Sequence, residues 1–252
     1  MFEEIDLLIL AILFVAGAVT FSISTISGGG GALLLIPFVS FLLGTGNTAP
    51  IVNLGSFIGR PVRLFLFWND IVWKLVWYYV PSAVAGAILA AWLFAEVRIV
   101  WIQLAVALFL ISTIFQYRFG KKERSFEVKK WHFIPLGFVV SVIGTFTGGM
   151  GPVLNPFYLN AGITKERLIA TKTVNSFVMG LTQISSYAFF GLLYGELWIY
   201  GISLGLGVSL GNIIGKKALA KMSAKRFRQW VIVIMVISGV LMLINLLIDY
   251  YK

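Results

Sequence analysis

The chain has 252 residues, of which 59% are hydrophobic and 12% charged, with a mean hydropathy of +0.94 and a formal net charge of +10. A soluble globular domain carries about 25% charged residues, so too little polar surface is present to cover a water-soluble body, and most of the exterior is expected to face lipid. Cysteine is absent and no P-loop pattern occurs, which excludes disulfides, thiolate metal sites and the usual cradle for nucleotide phosphates.

Ten apolar runs are long enough to cross or enter a ~30 Å hydrocarbon core at ~1.5 Å per residue. Residues Met1 to Asp6 lack the basic region of a cleaved signal peptide, so the N-terminal segment is expected to be retained. The first run, Leu7 to Ser27, ends in Thr25, Ile26 and Ser27 and is followed by Gly28, Gly29, Gly30 and Gly31. A short run from Ala32 to Leu43 contains Pro37, and Ala49 to Phe67 carries Asn53, Ser56, Arg60 and Arg63 at helical spacing, a polar stripe on an apolar helix. Leu75 to Ala95 and Ile99 to Tyr117 complete the first half.

A link from Arg118 to Lys130 holds six basic residues. The second half runs from Phe133 to Thr147, Val153 to Ala161, Leu168 to Leu193, Leu197 to Gly215 and Trp230 to Ile248, with six further basic residues between Lys216 and Arg228. Basic blocks between apolar runs mark cytoplasmic loops by the positive-inside rule, not a nucleic-acid surface. Glu3, Glu4, Asp6, Glu96, Glu196 and Asp249 then fall on the other side. The expected protein is multi-pass in the cell membrane, with both termini extracytoplasmic. Its organisation is a membrane repeat over 1–118, a basic cytoplasmic link over 119–131 and a second repeat over 132–252.

The halves repeat. Thr25-Ile26-Ser27 with Gly28 to Gly31 and then Pro37 matches Thr145-Phe146-Thr147 with Gly148, Gly149, Met150 and Gly151 and then Pro156, and Ser56-Phe57 matches Ser176-Phe177 at an interval of 120 residues. Five segments separate equivalent positions, so the copies must be inverted relative to one another. The predicted fold class is therefore an all-α integral membrane protein of two inverted repeats, about five segments each, including short or re-entrant glycine-interrupted helices.

Each glycine cluster interrupts a helix at membrane depth, where freed N–H groups must face protein, water or substrate. Bent glycine backbone and helix ends suit an anion, with Thr25, Ser27, Thr145 and Thr147 as hydroxyl donors; close helix packing is the other use of such glycines. In the eighth segment Lys172, Asn175, Ser176, Met179, Gln183 and Ser186 form a second polar stripe. Intramembrane cations are costly and face interior cavities, which makes Arg60 and Lys172 functional candidates. Arg63 and Lys172 are also near enough to segment ends to snorkel to the headgroups. No Asp or Glu falls at a segment centre, so a carboxylate proton relay is hard to build. His132, beside Trp131, is expected at the interface, as are Trp68, Trp73, Trp77, Trp198 and Trp230.

The two glycine-rich, proline-followed segments, with Ala170-Thr171-Lys172-Thr173-Val174-Asn175 after the second, resemble the TauE/SafE family, also called the toluene sulfonate uptake permeases. The resemblance implies transport, often export, of sulfur-containing anions such as sulfite, thiosulfate or sulfonates. It points to Gly28 to Gly31, Pro37, Gly148 to Gly151, Pro156, Lys172 and Asn175, with Met150 departing from the pattern. The expected function is a secondary transporter of a small anion, binding it through Thr25, Ser27, Gly28 to Gly31, Asn53, Ser56, Arg60, Thr145, Thr147, Gly148, Gly149, Gly151, Lys172, Asn175, Ser176 and Gln183, without metal or cofactor. An anion channel of similar architecture and a noncatalytic membrane scaffold remain as alternatives. An enzyme is not expected, since neither HExxH nor an intramembrane acid pair occurs.

Overall fold

Apolar segments surrounded by hydrocarbon must satisfy their backbone hydrogen bonds internally, and the helix does this within one segment. The computed structural model describes residues 6–93, 100–117, 125–147, 151–189 and 191–250, and among them every regular element is helical. The elements are α1 (Leu7–Ile26), α2 (Gly31–Leu43), α3 (Thr45–Leu66), α4 (Trp73–Leu93), α5 (Val100–Gln116), α6 (Phe133–Thr147), α7 (Asn155–Asn160), α8 (Lys165–Phe189), α9 (Glu196–Ala220) and α10 (Ala224–Tyr250). Short 3-10 turns occupy Trp68–Asp70, Lys130–His132 and Gly151–Leu154.

Each predicted apolar run coincides with one helix, and the differences lie at the ends. α8 stops at Phe189, short of the expected Leu193, because Leu192 and Leu193 both donate N–H bonds back to the Tyr187 carbonyl and Gly191 takes a positive φ of 69°. α10 begins at Ala224, upstream of the expected Trp230, where the Ser223 Oγ accepts the Arg226 N–H at 3.3 Å as an N-cap. α2 has 13 residues and α7 has 6; at ~1.5 Å per residue both are shorter than a ~30 Å hydrocarbon core. Among the described residues α1 and α9 are long and apolar enough to cross a membrane by length and composition alone. α3 and α8 are as long, at 22 and 25 residues, but carry the polar stripes.

The helices form two compact units that cut across the halves of the sequence. One comprises Met1–Ile26, Gly31–Asp70 and Lys172–Lys221, and so contains α1, α2, α3, most of α8, and α9. Its core gathers Leu13, Leu35, Val39, Ile51, Leu54, Leu204 and Val208. α1 and α9 meet backbone to backbone: a methyl group at Gly17 would fall 2.6 Å from the Leu204 carbonyl oxygen. Ser203 Oγ donates to the Leu10 carbonyl at 2.8 Å across the same seam. Small residues are what let helices pack without a hydrophobic driving force between them.

The other unit comprises Ser27–Gly30, Ile71–Thr171 and Met222–Lys252, with α4, α5, α6, α7 and α10. Here α4 and α6 make the backbone-close seam, since a methyl at Gly86 would fall 2.6 Å from the Phe138 carbonyl oxygen and one at Gly137 would fall 2.5 Å from that of Tyr79. The buried Asn160 amide ties the end of the basic link to α7. Its Oδ1 accepts the N–H groups of Ser125 and Phe126 at 2.7 and 3.1 Å, while Nδ2 donates to Tyr117 Oη at 2.7 Å and to the Pro156 carbonyl at 2.9 Å. His132 is used locally, its Nδ1 accepting the Lys129 N–H at 2.9 Å.

Large apolar side chains face outward, among them Phe41, Phe65 and Phe115, which are 90%, 85% and 80% exposed. Water would not tolerate so much exposed aromatic surface, and lipid does. All six tryptophans expected at the interface are exposed.

Candidate functional site

α3 is built so that its charged residues share one side. Asn53, Ser56, Arg60 and Arg63 recur at three- and four-residue intervals, which places them one above another along a single helical face. In the unit that contains α1, α3 and α9 this face meets buried polar groups. Arg63 Nη2 donates to Thr25 Oγ1 at 2.7 Å, Thr25 donates onward to Asn212 Oδ1 at 3.1 Å, and Asn212 Nδ2 donates to the Gly59 carbonyl at 2.9 Å. This chain of bonds joins α3 to α1 and α9 and returns to α3. Lys216 closes the end of α3: its Nζ donates to the Leu66 carbonyl and lies 5.4 Å from the Phe67 ring centre. A cation there satisfies a terminal carbonyl and the negative end of the helix dipole.

Further along α3, Arg60 lies 5.9 Å from the Phe57 ring centre, and Phe57 stacks on Phe177 of α8 at 5.3 Å and 10°. Asn53 Nδ2 donates to the Tyr187 hydroxyl at 3.2 Å and to the Ala49 carbonyl at 2.9 Å. Arg60 Nη1, Arg63 Nε and Ser56 Oγ are shielded from solvent and have no hydrogen-bond partner among the described residues. Arg63 is close enough to Arg60 and to Lys172 to feel both charges. Lys172 and Asn175 are buried, at 7% and 3% exposure, so Lys172 does not reach outward to the headgroups. The described carboxylates of this unit, Asp6, Asp70 and Glu196, stand at helix ends.

Thr25, Asn53, Ser56, Arg60, Lys172 and Asn175 thus belong to one unit, and Ser176 and Gln183 sit half-buried on α8 in the same unit. Gly31 begins α2, where a methyl group would fall 2.9 Å from Ser24 Cβ and 3.0 Å from the Phe21 ring, so α2 returns directly against the end of α1. Ser27 and Gly28 to Gly30 fall in the other unit. Gly28, Gly29 and Gly30 take φ values of 73°, 132° and 94°, a run that only glycine adopts without strain. A methyl at Gly28 would meet Leu168 at 3.1 Å and Val231 at 3.2 Å, so this tip is packed among apolar side chains, and Ser27 Oγ donates to the Gly29 carbonyl at 3.1 Å. Gly148 and Gly149 lie outside the described residues, as do the side chains of Thr145 and Thr147. Gly151 opens a 3-10 turn.

Sequence reasoning missed Asn212 and Tyr187 and left Arg63 open between the polar stripe and the headgroups. Asn212 carried a signal: it is the one amide in α9, flanked by Gly207, Gly211 and Gly215, and a buried amide among glycines needs partners on a neighbouring helix. Arg63 was ambiguous because a cation one turn from a helix end can snorkel, whereas here it turns inward to Thr25.

No curated protein and no solved structure matches the chain. The sequence profile described as Sulfite exporter TauE/SafE matches residues 13–242, nearly the whole length, and the chain therefore belongs to that family of anion-exporting membrane transporters.

Proposed function

We propose that the protein is a secondary exporter of a compact sulfur oxyanion, with sulfite or thiosulfate as the preferred class, bound beside Arg60, Arg63 and Lys172. The observation that carries this reading is the gathering of three cations in one unit whose described carboxylates all stand at helix ends. Burying like charges without a counter-charge costs several kcal/mol per ion, and a transported anion supplies the missing charge. Arg60 Nη1, Arg63 Nε and Ser56 Oγ, which lack acceptors or donors among the described residues, are the groups that such an anion would meet first, and charge-assisted bonds to oxyanion oxygens are the strong ones. Asn53, Lys172, Asn175, Ser176 and Gln183 supply further donors from the facing stripes.

Export needs no coupling ion. A cytoplasm held negative drives out each unit of negative charge with about 2.3 kcal/mol per 100 mV. The basic links are assigned to the cytoplasm and the termini to the outside by their charge. The inverted-repeat arrangement is supported by the pairing inside each unit: a shift of one repeat carries α1 onto α6 and α4 onto α9, and Gly17 and Gly137, 120 residues apart, each lie on a partner helix's carbonyl.

The test is flux in vesicles containing purified protein, with sulfite, thiosulfate, sulfate, sulfoacetate and taurine offered separately. Saturable flux of the oxyanions, weak flux of zwitterionic taurine and loss of sulfite flux in Arg60→Gln are expected. Equal rates for taurine and sulfite, or step-like single-channel currents, would overturn the carrier reading.

A further inference from the structure

The sequence repeat pairs each residue of α3 with one of α8, and two of these pairs touch. Phe57 and Phe177 are 120 residues apart and stack on each other at 5.3 Å. Arg60 and Gly180 are also 120 residues apart, and the Arg60 guanidinium rests against Gly180: a methyl there would fall 2.9 Å from Arg60 Cζ and closer still to Nη1. Two copies of one element related by a two-fold rotation bring a residue against its own equivalent only beside the axis. The contacts at 57/177 and 60/180 therefore mark a local two-fold between α3 and α8, all within one compact unit. A guanidinium at both positions would set two like charges in contact, and the chain carries Arg on one copy and Gly on the other.

We infer that Gly180 is a positioning residue, the berth that holds the Arg60 guanidinium over the local two-fold without consuming its hydrogen bonds. This rests on the reading of Arg60 as an anion-binding group and adds how it is held. A carboxylate in place of Gly180 would fix the guanidinium and neutralise it. The Phe57 ring face, 5.9 Å from Cζ, and bare glycine backbone fix it by contact and by cation–π attraction, leaving Nη1 shielded and unbonded among the described residues. At this pair of equivalent positions one guanidinium serves both copies of the repeat, so beside the two-fold the proposed site has one cation where strict symmetry would place two.

Four variants test this, read by sulfite binding to purified protein and by thermal unfolding without any anion. Gly180→Ala should weaken sulfite binding by roughly tenfold or more, the scale of one charge-assisted hydrogen bond. Arg60→Lys/Gly180→Ala should bind like Arg60→Lys alone, because the shorter ammonium no longer needs the vacant space. Arg60→Gly should lose binding to a similar degree, and the exchange Arg60→Gly/Gly180→Arg should recover most of it, since the guanidinium returns to the equivalent position on the other helix. A merely structural glycine would show neither the rescue by lysine nor the recovery by exchange. Parent-like binding by Gly180→Ala, or the same loss from Gly180→Ala whether residue 60 is Arg or Lys, overturns the berth. The unfolding temperatures report the berth independently: Gly180→Ala should destabilise the Arg60 protein clearly more than the Arg60→Gly protein, in which only the Phe57 ring, 3.0 Å from the added methyl, still has to give. If that coupling is present while Arg60→Gly binds sulfite like the parent, the berth stands and the anion-binding reading of Arg60 fails.

Discussion

Replacing Arg60 by glutamine should move stability and binding in opposite directions. Arg60 and Arg63 are one helical turn apart on α3, where Cβ atoms lie about 5–6 Å apart. The side chains diverge, Arg60 toward Gly180 and Arg63 toward Thr25, so the ~3 kcal/mol that two like charges would feel at ~6 Å and an effective dielectric of ~20 is an upper limit. Both side chains are half-buried, so partial solvent access reduces this to about 1–2 kcal/mol. Losing the contact with the Phe57 ring gives back ~0.5–1 kcal/mol. The net is a stabilisation of about 1 kcal/mol in the absence of anion, or a rise of roughly 2–4 °C in melting temperature for a chain of this size. Sulfite at a hundred times its dissociation constant should stabilise the parent by about 2.7 kcal/mol. A variant that binds about tenfold more weakly should show only about half that shift at the same concentration. The assay is thermal unfolding of detergent-purified protein with and without sulfite. A lower melting temperature for Arg60→Gln without anion, together with an unchanged sulfite shift, would show that Arg60 is a structural cation with an internal partner.

Three further outcomes follow from the same geometry. Lys172→Gln should weaken sulfite binding by about ten- to a hundredfold and Lys172→Arg should be milder, while Lys221→Gln, on an exposed turn, should bind like the parent; equal binding by Lys172→Gln and Lys221→Gln removes Lys172 from the site. Asn212→Ala removes the acceptor of the Thr25 hydroxyl and the side-chain donor to the Gly59 carbonyl, a loss of about 1–3 kcal/mol that should lower the melting temperature with or without sulfite; an unchanged melting curve shows the bonds to be replaceable. Cysteines placed at Ser125 and Ser223 in this cysteine-free chain should be protected from impermeant maleimide in intact cells and labelled in inverted vesicles, and the reverse pattern overturns the orientation.

Helix positions were legible because hydropathy and hydrogen-bond satisfaction act on each segment separately, and the expected runs fall on α1 to α10 with shifts confined to caps such as Ser223 and turns such as Gly191. The α3 stripe was legible for the same reason: spacing alone puts Asn53, Ser56, Arg60 and Arg63 on one face. The partners of that stripe were not legible. Thr25 was expected as an anion donor beside a glycine tip, yet its hydroxyl already accepts from Arg63 and donates to Asn212. At Gly28 and Gly30 the side on which a side chain would stand is filled by Leu168, Val231 and Ile234, packing that the sequence did not reveal. A glycine in sequence records that a side chain is absent. It does not record whether backbone, apolar packing or a ligand takes the space.

Gly17, Gly28 and Gly180 make that difference physical. At Gly17 the space is taken by the carbonyl of a neighbouring helix, at Gly28 by aliphatic side chains, and at Gly180 by a guanidinium. The first two convert missing side chains into van der Waals contact, which is what holds helices together in lipid. The third converts it into a place for charge. A half-buried guanidinium against ring and backbone keeps what its partial burial costs until an anion arrives, whereas one beside a carboxylate would be neutralised in advance and would offer a ligand little. Membrane proteins place polar residues inside only where something offsets the penalty. In this unit the described carboxylates are at helix ends, so on the proposed reading the transported anion supplies the offset for Arg60. A residue that makes the empty protein less stable and the loaded one more stable is the arrangement required of a site that must capture its ligand and then release it.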